Sequence, residues 1–539
     1  MFALLLWCGI AGYAVKQHVP WADEAQAWML AGGVNWKTLF VHSLHYEGTG
    51  GLWHAFLKLL QAMHVSFTGM RWIVAGVEGA AMAVLLRYAP FPRIVRLLVP
   101  FTFFLLFQDG VVARSYCLFA ILAFPAAALL RSARPRPFAI AVLAGLLANL
   151  SVHGVILSAG LVGVAWKLWG RRFTRNVPAG AVLLALWMAA AATMAPARDV
   201  DFSAGNNLYR SLAKVQKSLG MHGATPPPSV TKLTMAGLQP APVPVHVRHG
   251  AARVWNRAAR ILAVVTFPLS RFRVLALLLV FAITVQAFAV RQRVPGSGAT
   301  GPIGLLPYGL MVLVFSSLYL APRHVGTVLT SFVVTAWLTW PGRDNLHEAS
   351  QIWLERTATL LFVLVCAEGA GWTGHAVAEG SQKPYAPSLM TAAYLKSRGV
   401  GMPGFHTPVA GYYYFSSAPL VYFDRNIYYN QPPHRYWNWR TAMRTYSMVW
   451  DDLARHPAFV VVGTFESGPD GEITRDWVPG DPPEPGVVLG DGFGIARYFE
   501  QHGYRRTHIF CGHSSMRATY AELLCDTVLE PVRPLAMSR

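Results

Sequence analysis

Charged residues are scarce in this chain. Asp, Glu, Lys and Arg make up 13% of its 539 residues, whereas hydrophobic residues make up 54%. A soluble domain usually carries about 25% charged residues. Because a soluble fold of this length cannot bury so much apolar surface, the composition excludes that class and indicates an integral membrane protein.

Acidic residues are especially few: 26 Asp and Glu stand against 46 Lys and Arg, a net charge of +20. Such an excess is also found in nucleic-acid-binding proteins, but many of these Arg residues fall in short clusters between apolar runs. Cytoplasmic loops of membrane proteins carry clusters of this kind. We therefore assign most of the basic charge to membrane topology and predict no nucleic-acid partner.

Cysteine is scarce as well, with five residues in the chain. Cys8, Cys117 and Cys366 lie in apolar segments without CxxC or Cys/His spacing, which argues against a structural zinc site. Cys511 and Cys525 lie in the polar C-terminal region and could form one disulfide if that region is outside the cytoplasm. This region also lacks a Gly-rich phosphate loop, GxSxG and HExxH.

Apolar runs predict about eleven membrane-spanning helices, since a span takes roughly 17–25 residues and fewer where protein covers its ends. They run approximately over residues 2–15, 70–88, 94–107, 112–130, 138–152, 154–169, 178–195, 272–290, 303–320, 325–340 and 356–372. The first run lacks a basic n-region, so we interpret it as an uncleaved helix. It is short for a span, which a start site placed too far downstream would explain.

The short basic clusters orient these helices. They share one side if the N-terminus is cytoplasmic, which places the region after about residue 373 outside. We predict a transmembrane domain over residues 1–372, including external loops 16–69 and 196–271, and an extracytoplasmic domain over 373–539. The basic loop 196–271 indicates either solvated charge beside anionic headgroups or a basic wall that attracts a phosphorylated lipid.

The C-terminal domain has the composition of a soluble protein. Helical and strand-like segments alternate along it, which predicts a small α/β fold. The predicted helices cover 388–396, 442–455 and 495–502, and the predicted strands cover 408–423, 459–465 and 504–511.

The external loop after the first helix carries three carboxylates, Asp23, Glu24 and Glu47, beside the predicted bilayer. Desolvation there raises the proton affinity of a carboxylate toward neutrality, so that it can act as a general base. The alternative for Asp23 and Glu24 is helix capping, because a helix N-terminus favours negative charge. Further along the loop, residues 52–63 predict a helix in the membrane interface with His54 on its polar face.

Basic side chains lie at other predicted external turns. Arg114, Arg323 and His324 could stabilise a phosphate group, and His153 lies at a further turn on the same side. Each also has a structural interpretation. Arginines at helix ends reach lipid headgroups, and single histidines are often satisfied inside the bundle.

Two more groups of titratable residues stand out. Glu78 and Glu368 lie inside or near predicted spans, where an ionisable residue is either functional or paired within the bundle. His42, His45 and Glu47 could bind a divalent metal, although three possible ligands in one loop are a weak signal.

Four motifs occur in order on the predicted outer side: PWADEAQAWML, HYEGTGGLWHAFLKL, an ARSY turn that contains Arg114 and Tyr116, and RHVG at 323–326. With the order of helices and the terminal domain, they resemble the GT-C glycosyltransferases. The chain is most similar to bacterial relatives of the protein O-mannosyltransferases and aminoarabinose transferases. It also resembles a bacterial set of multi-span proteins with DEAQAW, a YEGHPxLWH-type segment and RHxG.

The resemblance implies a GT-C-like fold in the bacterial inner membrane and inverting transfer of a sugar from a polyprenyl-phosphate donor to a lipid, glycan or protein acceptor. It implies Asp23 as the general base, Glu24 beside it, and Glu47 as a residue that arranges the acceptor or a metal. Metal dependence differs among members, so a divalent metal stays open as a cofactor. The residues expected to bind substrate are Arg114, Tyr116, His153, Arg323 and His324.

One segment departs from this pattern. Relatives commonly show Gly-His-Pro after the second acidic residue, where this chain has Gly48, Thr49 and Gly50. Loss of the imidazole and the proline can alter a metal site or loosen the loop. Other classes stay open: a membrane transporter, a lipid-glycan-binding protein on the same scaffold, or a ligase that uses a pyrophosphate donor. A transporter would more often show internal repeats, and the sequence has no clear one.

Overall fold

The computed structural model describes residues 2–197, 261–290, 301–317, 324–342, 346–412, 414–431, 434–437, 453–467, 488–489, 492–517 and 520–532. Three predicted features lie wholly or mostly outside these ranges. They are residues 198–260 of the basic loop 196–271, residues 442–452 of the helix predicted at 442–455, and Arg323.

Helices form most of the described structure. The α-helices of six or more residues are α1 (Phe2–Gln17), α2 (Ala22–Gly33), α3 (Gly51–Ala62), α4 (Phe67–Tyr88), α5 (Arg93–Leu98), α6 (Phe119–Leu130), α7 (Pro137–Ala148), α8 (Val152–Trp169), α9 (Val177–Met194), α10 (Arg273–Ala289), α11 (Leu306–Ser317), α12 (Val325–Thr339), α13 (Ala349–Gln382), α14 (Ser388–Ser397) and α15 (Gly492–Gln501). Within the described ranges, four of them, α4, α8, α9 and α13, are long and apolar enough to cross a membrane.

Shorter apolar helices accompany these four. They cover Phe2–Gln17, Ser115–Leu130, Pro137–Ala148, Arg273–Ala289, Gly301–Ser316 and Val325–Thr339, so that ten apolar helices overlap ten of the eleven predicted runs. They pack side by side, with α8 between α7 and α11 and with α10 against α13. Large apolar side chains such as Leu184 and Phe281 are exposed on their outer faces, as expected for helices in contact with lipid.

The predicted span at 94–107 is wrong. Helix α5 ends at Leu98, and a 3-10 turn (Val99–Phe101) and a π-helical turn (Phe104–Gln108) follow it. Pro100 lacks an N–H and so disfavours continuation of the α-helix, and its carbonyl accepts a hydrogen bond from Trp7 Nε1 at 2.9 Å. The apolar composition reflects burial of this irregular segment against neighbouring helices.

Helix α3 also differs from its prediction. Its polar face packs onto α2: Lys58 Nζ donates to the carbonyls of Ala31 (3.0 Å) and Val34 (2.5 Å), and Gln61 Nε2 donates to Trp28 O at 2.8 Å. The lysine therefore satisfies the free carbonyls at the C-terminal end of α2. The polar face of α3 therefore contacts α2, although Lys58 and Gln61 remain partly exposed.

The C-terminal domain contains a mixed sheet. Its strands are β1 (Val409–Tyr412), β2 (Phe459–Ser467), β3 (Val488–Leu489), β4 (Tyr504–Arg517) and β5 (Tyr520–Pro531), in the order β1-β2-β5-β4 with β3 paired to β2. Among these strand pairs, β1 and β2 are parallel and the other pairs are antiparallel. Cys511 and Cys525 face each other across β4 and β5 and form a disulfide. The C-terminal region thus contains a small sheet, in which β1 is shorter than predicted and β5 was not predicted.

Helix α2 joins the bundle to this domain. Ala22, Ala25 and Met29 belong to the same apolar core as Leu395, Leu420 and Phe459. Gln26 Nε2 donates to Trp437 O at 2.7 Å, and Ser388 Oγ donates to Pro20 O at 2.7 Å. The segment that carries Asp23 is therefore fixed between the helical bundle and the C-terminal domain.

Candidate active site

An ion pair lies at the start of α2. Asp23 Oδ2 is 2.5 Å from Arg114 Nη2, and the two side chains keep 17% and 16% of their surface exposed. The Arg114 guanidinium lies over the rings of Trp21 and Tyr116, with its Cζ at 5.2 and 5.3 Å from their centroids. Two aromatic faces thus hold the cation beside Asp23, and the pair is reachable from solvent.

Glu24, the next residue, has a different environment. It is buried, and its Oε2 lies 2.8 Å from His18 Nε2 and accepts a hydrogen bond from Trp21 N at 3.2 Å. Its Oε1 accepts from Ala113 N at 2.8 Å. Glu24 therefore caps α2, as the capping interpretation predicts, and it also ties α2 to α1 and to the turn that carries Arg114.

Glu47 follows a short 3-10 turn (Leu44–Tyr46) and remains partly exposed as a residue. Its Oε1 is nevertheless buried and has no hydrogen-bond partner within the described part of the chain. Burial raises the pKa of Glu47 to about 8; a hydrogen bond with Gln26 lowers it and the nearby Asp23 charge raises it. At neutral pH most Glu47 side chains therefore carry a proton, next to a second carboxyl group.

The departure at 48–50 has a structural counterpart. Gly50 N donates to Leu150 O at 3.2 Å, and Thr49 pairs with Ser151 in an antiparallel bridge. A Cβ on Gly50 would lie 2.1 Å from Asn149 O, so only glycine fits this approach. A proline here would also lose the N–H of that hydrogen bond. The close pairing brings the Glu47 loop against the start of α8.

A cluster of aromatic and imidazole rings extends from Arg114 into the helical bundle. Tyr116 lies 5.9 Å from His153 and 5.6 Å from His324 between ring centroids, and the two imidazoles are 4.7 Å apart. Phe315 stacks on His153 at 4.2 Å, and Ser151 Oγ is 3.3 Å from His153 Nδ1. The other ring nitrogen, His153 Nε2, is buried without a protein partner among the described residues.

No protein-family model, no curated protein and no solved structure matches this chain. Its function must be argued from the geometry of the site.

The structure brings six of the predicted site residues together: Asp23, Glu47, Arg114, Tyr116, His153 and His324. Glu24 adjoins this cluster but is turned into the interior. The Nδ1 of His45, the other predicted metal ligand, is 2.6 Å from Ala195 O just after α9. No group of three or more His, Cys, Asp and Glu able to hold a metal occurs in the described ranges.

A second acidic pair lies deeper. Glu78 on α4 is fully buried, and within the described structure neither of its oxygens has a hydrogen-bond partner. Asp109 lies within electrostatic range of both Glu78 and Arg114. Burial raises the pKa of Asp109, and the Arg114 charge opposes this rise. Both Asp109 oxygens lie 3.1 Å from where a Cβ on Gly326 would be, so the glycine of RHVG lets the first turn of α12 approach this carboxylate.

Sequence reasoning missed two residues of the site. Trp21 supplies one of the rings under Arg114, and Gln26 links Glu47 to the backbone of Trp437 in the C-terminal domain. Both lie in the motif around Asp23. Only Gln26 had a signal in the sequence: it follows Asp23 by three residues, and this spacing places both on one face of α2.

Proposed function

We propose that this protein is a membrane glycosyltransferase that moves a sugar from a polyprenyl-phosphate donor to an acceptor hydroxyl with inversion. The observation that carries the proposal is the accessible pair of Asp23 and Arg114, 2.5 Å apart, in a chain of apolar helices. Transfer from a lipid phosphate needs a base for the acceptor and a cation for the leaving group. Asp23 can serve as this base, and Arg114 can serve as this cation.

The pair also supports an order of events. Before the donor binds, Arg114 neutralises Asp23. A donor phosphate that takes over the guanidinium leaves the Asp23 carboxylate without its partner, next to the anomeric carbon. The base is therefore released only when the leaving group is in place, which restricts turnover to the fully loaded site.

The chemical step is a direct displacement. The acceptor oxygen attacks the anomeric carbon while its proton passes to the Asp23 carboxylate. The bond between this carbon and the phosphate oxygen breaks, and its electron pair leaves with the polyprenyl phosphate. Arg114 meets the developing phosphate charge, with His153 and His324 as further donors. Glu47 holds a proton at neutral pH, so that it can donate a hydrogen bond to a substrate oxygen without repelling Asp23.

The disulfide supports a location for this chemistry. Cys511 and Cys525 are bonded, and such bonds persist in oxidising compartments. We propose that the C-terminal domain lies on the outer face of a bacterial inner membrane. The site between α2 and this domain would then face the compartment where lipid-linked sugars are consumed.

A non-catalytic role is the second candidate, because Asp23 and Arg114 could bind a lipid phosphate without further chemistry. An assay with the full-length purified protein separates the two roles. It is incubated with a labelled polyprenyl-phosphate hexose and a membrane extract that supplies acceptors. A transferase moves the label to a new product, whereas a binding protein or transporter only retains the lipid.

The first testable prediction concerns Asp23→Asn. It should lower transfer by about 100-fold or more, because a base catalyst typically contributes that much. Asp424→Asn serves as the matched control, since Asp424 is exposed in the C-terminal domain. Both variants should keep the thermal unfolding temperature of the wild type. Transfer by Asp23→Asn at the wild-type rate would remove Asp23 as the base.

A further inference from the structure

The Glu47 loop lies where three helices of membrane-spanning length end. Only four residues separate α3 from the start of α4. Helix α8 begins just after Ser151, which pairs with Thr49. Beyond the end of α9, Ala197 N donates to His45 O at 3.1 Å. Because helices that cross a bilayer end at its borders, α3 and the Glu47 loop lie at one membrane surface.

Helix α3 carries an apolar stripe on the side away from α2. The residues of this stripe recur every three or four positions, as on one face of a helix: Leu52, Phe56, Leu59 and Met63. The bonds of Lys58 and Gln61 to α2 lie on the opposite face. Leu59 and Met63 are 54% and 72% exposed. The C-terminal half of the stripe is therefore open to the surroundings of the protein.

A second apolar element packs beside α3. Residues 36–43 form a short α-helical turn followed by a π-helical turn. The Trp36 ring stacks on Phe40 with 6.1 Å between centroids, and Lys58 Nζ lies 5.5 Å from the centroid of the Trp36 ring. Trp36 and Val41 are 44% and 50% exposed. The two elements thus present one apolar surface, which we call the interface patch: Trp36, Val41, Leu59 and Met63.

The charge around the interface patch suits lipid headgroups. Lys37, His42 and His64 are exposed beside it. Glu47 is the sole Asp or Glu from residue 25 to residue 77. Tryptophan is enriched at membrane–water borders, and basic side chains are attracted to anionic headgroups. Exposed apolar side chains with a basic rim are typical of a segment that lies in the membrane interface.

We propose that α3 and the turns at 36–43 lie in the headgroup layer of the membrane, with the interface patch inserted roughly 5–10 Å toward the acyl chains. The lipid-facing surface of the bundle continues onto the patch, because α3 leads directly into α4, where Trp72 is 46% exposed. The polar face of α3 does not oppose this depth, since Lys58 and Gln61 already bond to carbonyls of α2.

This seating fixes the height of the active site. Glu47 lies in the chain between the turns at 36–43 and α3, so lipid holds both flanks of its loop. A donor phosphate in the headgroup layer then meets the loop at its own level. This consequence rests on the proposed glycosyl transfer, whereas the seating itself does not.

Spin labels measure the depth of the patch in the full-length protein, reconstituted in nanodiscs of phosphatidylethanolamine and phosphatidylglycerol. The background carries Cys8→Ser, because Cys8 is exposed, while Cys117 and Cys366 are buried. One label is attached at Val41→Cys or at Met63→Cys. Power saturation then compares the accessibility of the label to oxygen, which partitions into lipid, with its accessibility to a water-soluble nickel complex.

Val532→Cys is the matched control, since Val532 is 56% exposed and Val41 is 50% exposed. Strand β4 meets the end of α13 at His513, whose N–H donates to Pro384 O at 2.8 Å. Val532 follows β5 at the opposite end of β4, beside Tyr504. The strand between these two ends is roughly 30 Å long, so the control label lies far from the bilayer.

We expect the ratio of oxygen to nickel accessibility at residues 41 and 63 to exceed that at residue 532 by about threefold or more, because insertion into lipid excludes the nickel complex. Ratios equal to that of the control would place the patch in water and overturn the proposal. Low accessibility to both reagents at 41 and 63 would show that protein covers the patch, which would overturn it as well.

A double variant tests whether the two elements are seated as one surface. Leu59→Asp with Met63→Asp should lower the ratio at Val41→Cys about twofold or more, because charged side chains are disfavoured in lipid. Val532→Asp should leave it unchanged. An unchanged ratio in the double variant would contradict a single inserted surface. These measurements use no sugar donor, so a failure to observe transfer would not affect them.

Discussion

The N-terminal turn of α2 and the loop at 47–54 lie next to each other but use their polar groups differently. In the α2 turn, both Glu24 oxygens are hydrogen-bonded to protein atoms. In the loop and the first turn of α3 that follows it, Glu47 Oε1, Thr49 Oγ1 and both ring nitrogens of His54 are buried without a partner among the described residues. Burial lowers the pKa of His54 to about 4, so this imidazole is neutral.

This difference indicates that the α2 turn is part of the structural framework and that the segment 47–54 is part of a binding surface. A buried polar group without a partner costs free energy, and folded proteins leave few of them. The satisfied turn contributes stability, whereas the unsatisfied loop gives up stability for groups that a ligand can later bind. Each prediction below changes one side of this contrast.

The largest effect is expected at Glu24. Glu24→Ala leaves His18 and two backbone N–H groups buried without a partner, so we expect a loss of about 3–5 kcal/mol in the free energy of unfolding. Denaturant unfolding of the detergent-solubilised protein measures it. Asp424→Ala, at an exposed carboxylate, should change the stability by less than about 0.5 kcal/mol. Equal stability of the two variants would mean that the Glu24 network contributes nothing.

Much of the fold follows from the sequence because lipid-facing and buried helices need long apolar runs. The exceptions have local causes. The run at 94–107 is apolar apart from Arg96 and Thr102, and a proline does not always end an apolar helix, since Pro125 lies inside α6, so composition could not show the break near Pro100. Strand β5 was missed because Glu522, Asp526 and Glu530 interrupt its apolar pattern. Asp526 is tolerated in the core because Thr391 Oγ1 donates to its Oδ2 at 2.7 Å.

The second prediction concerns the approach of the loop to α8. Gly50→Ala forces a Cβ to within 2.1 Å of Asn149 O and should cost about 1–3 kcal/mol, as overpacking usually does. Gly76→Ala is the control, because a Cβ there meets nothing within 4 Å and alanine favours a helix by about 1 kcal/mol. The two variants should shift the unfolding temperature in opposite directions. A neutral Gly50→Ala would show that the loop can move away from α8.

The site could be predicted only in part. Carboxylates and basic side chains on one predicted side, together with Tyr116 of the ARSY motif, gave six residues that the structure brings together. The different roles of Asp23 and Glu24 could not be predicted from two neighbouring positions in the sequence. These roles depend on the folded structure, in which Glu24 contacts His18 and Asp23 contacts Arg114. The proton on Glu47 likewise depends on burial by distant segments.

The prediction most specific to the loop is a pH dependence at Glu47. Its pKa is raised from 4.5 to about 8, chiefly by burial. Between these two values the unfolded chain has released the proton that the folded chain still holds, so stability falls as pH rises through this window. Glu47→Gln has no such proton and should lose less stability between pH 5 and pH 8.

Unfolding temperatures of both proteins across that window measure the difference, and Asp424→Asn should follow the wild type. Parallel profiles for Glu47→Gln and wild type would show that Glu47 is ionised at neutral pH. Asp23 would then face a second negative charge. In that case the loop would be arranged to hold a cation. The unpartnered groups of the loop, unlike the hydrogen-bonded Glu24 in the α2 turn, would then be ligands for a positive charge.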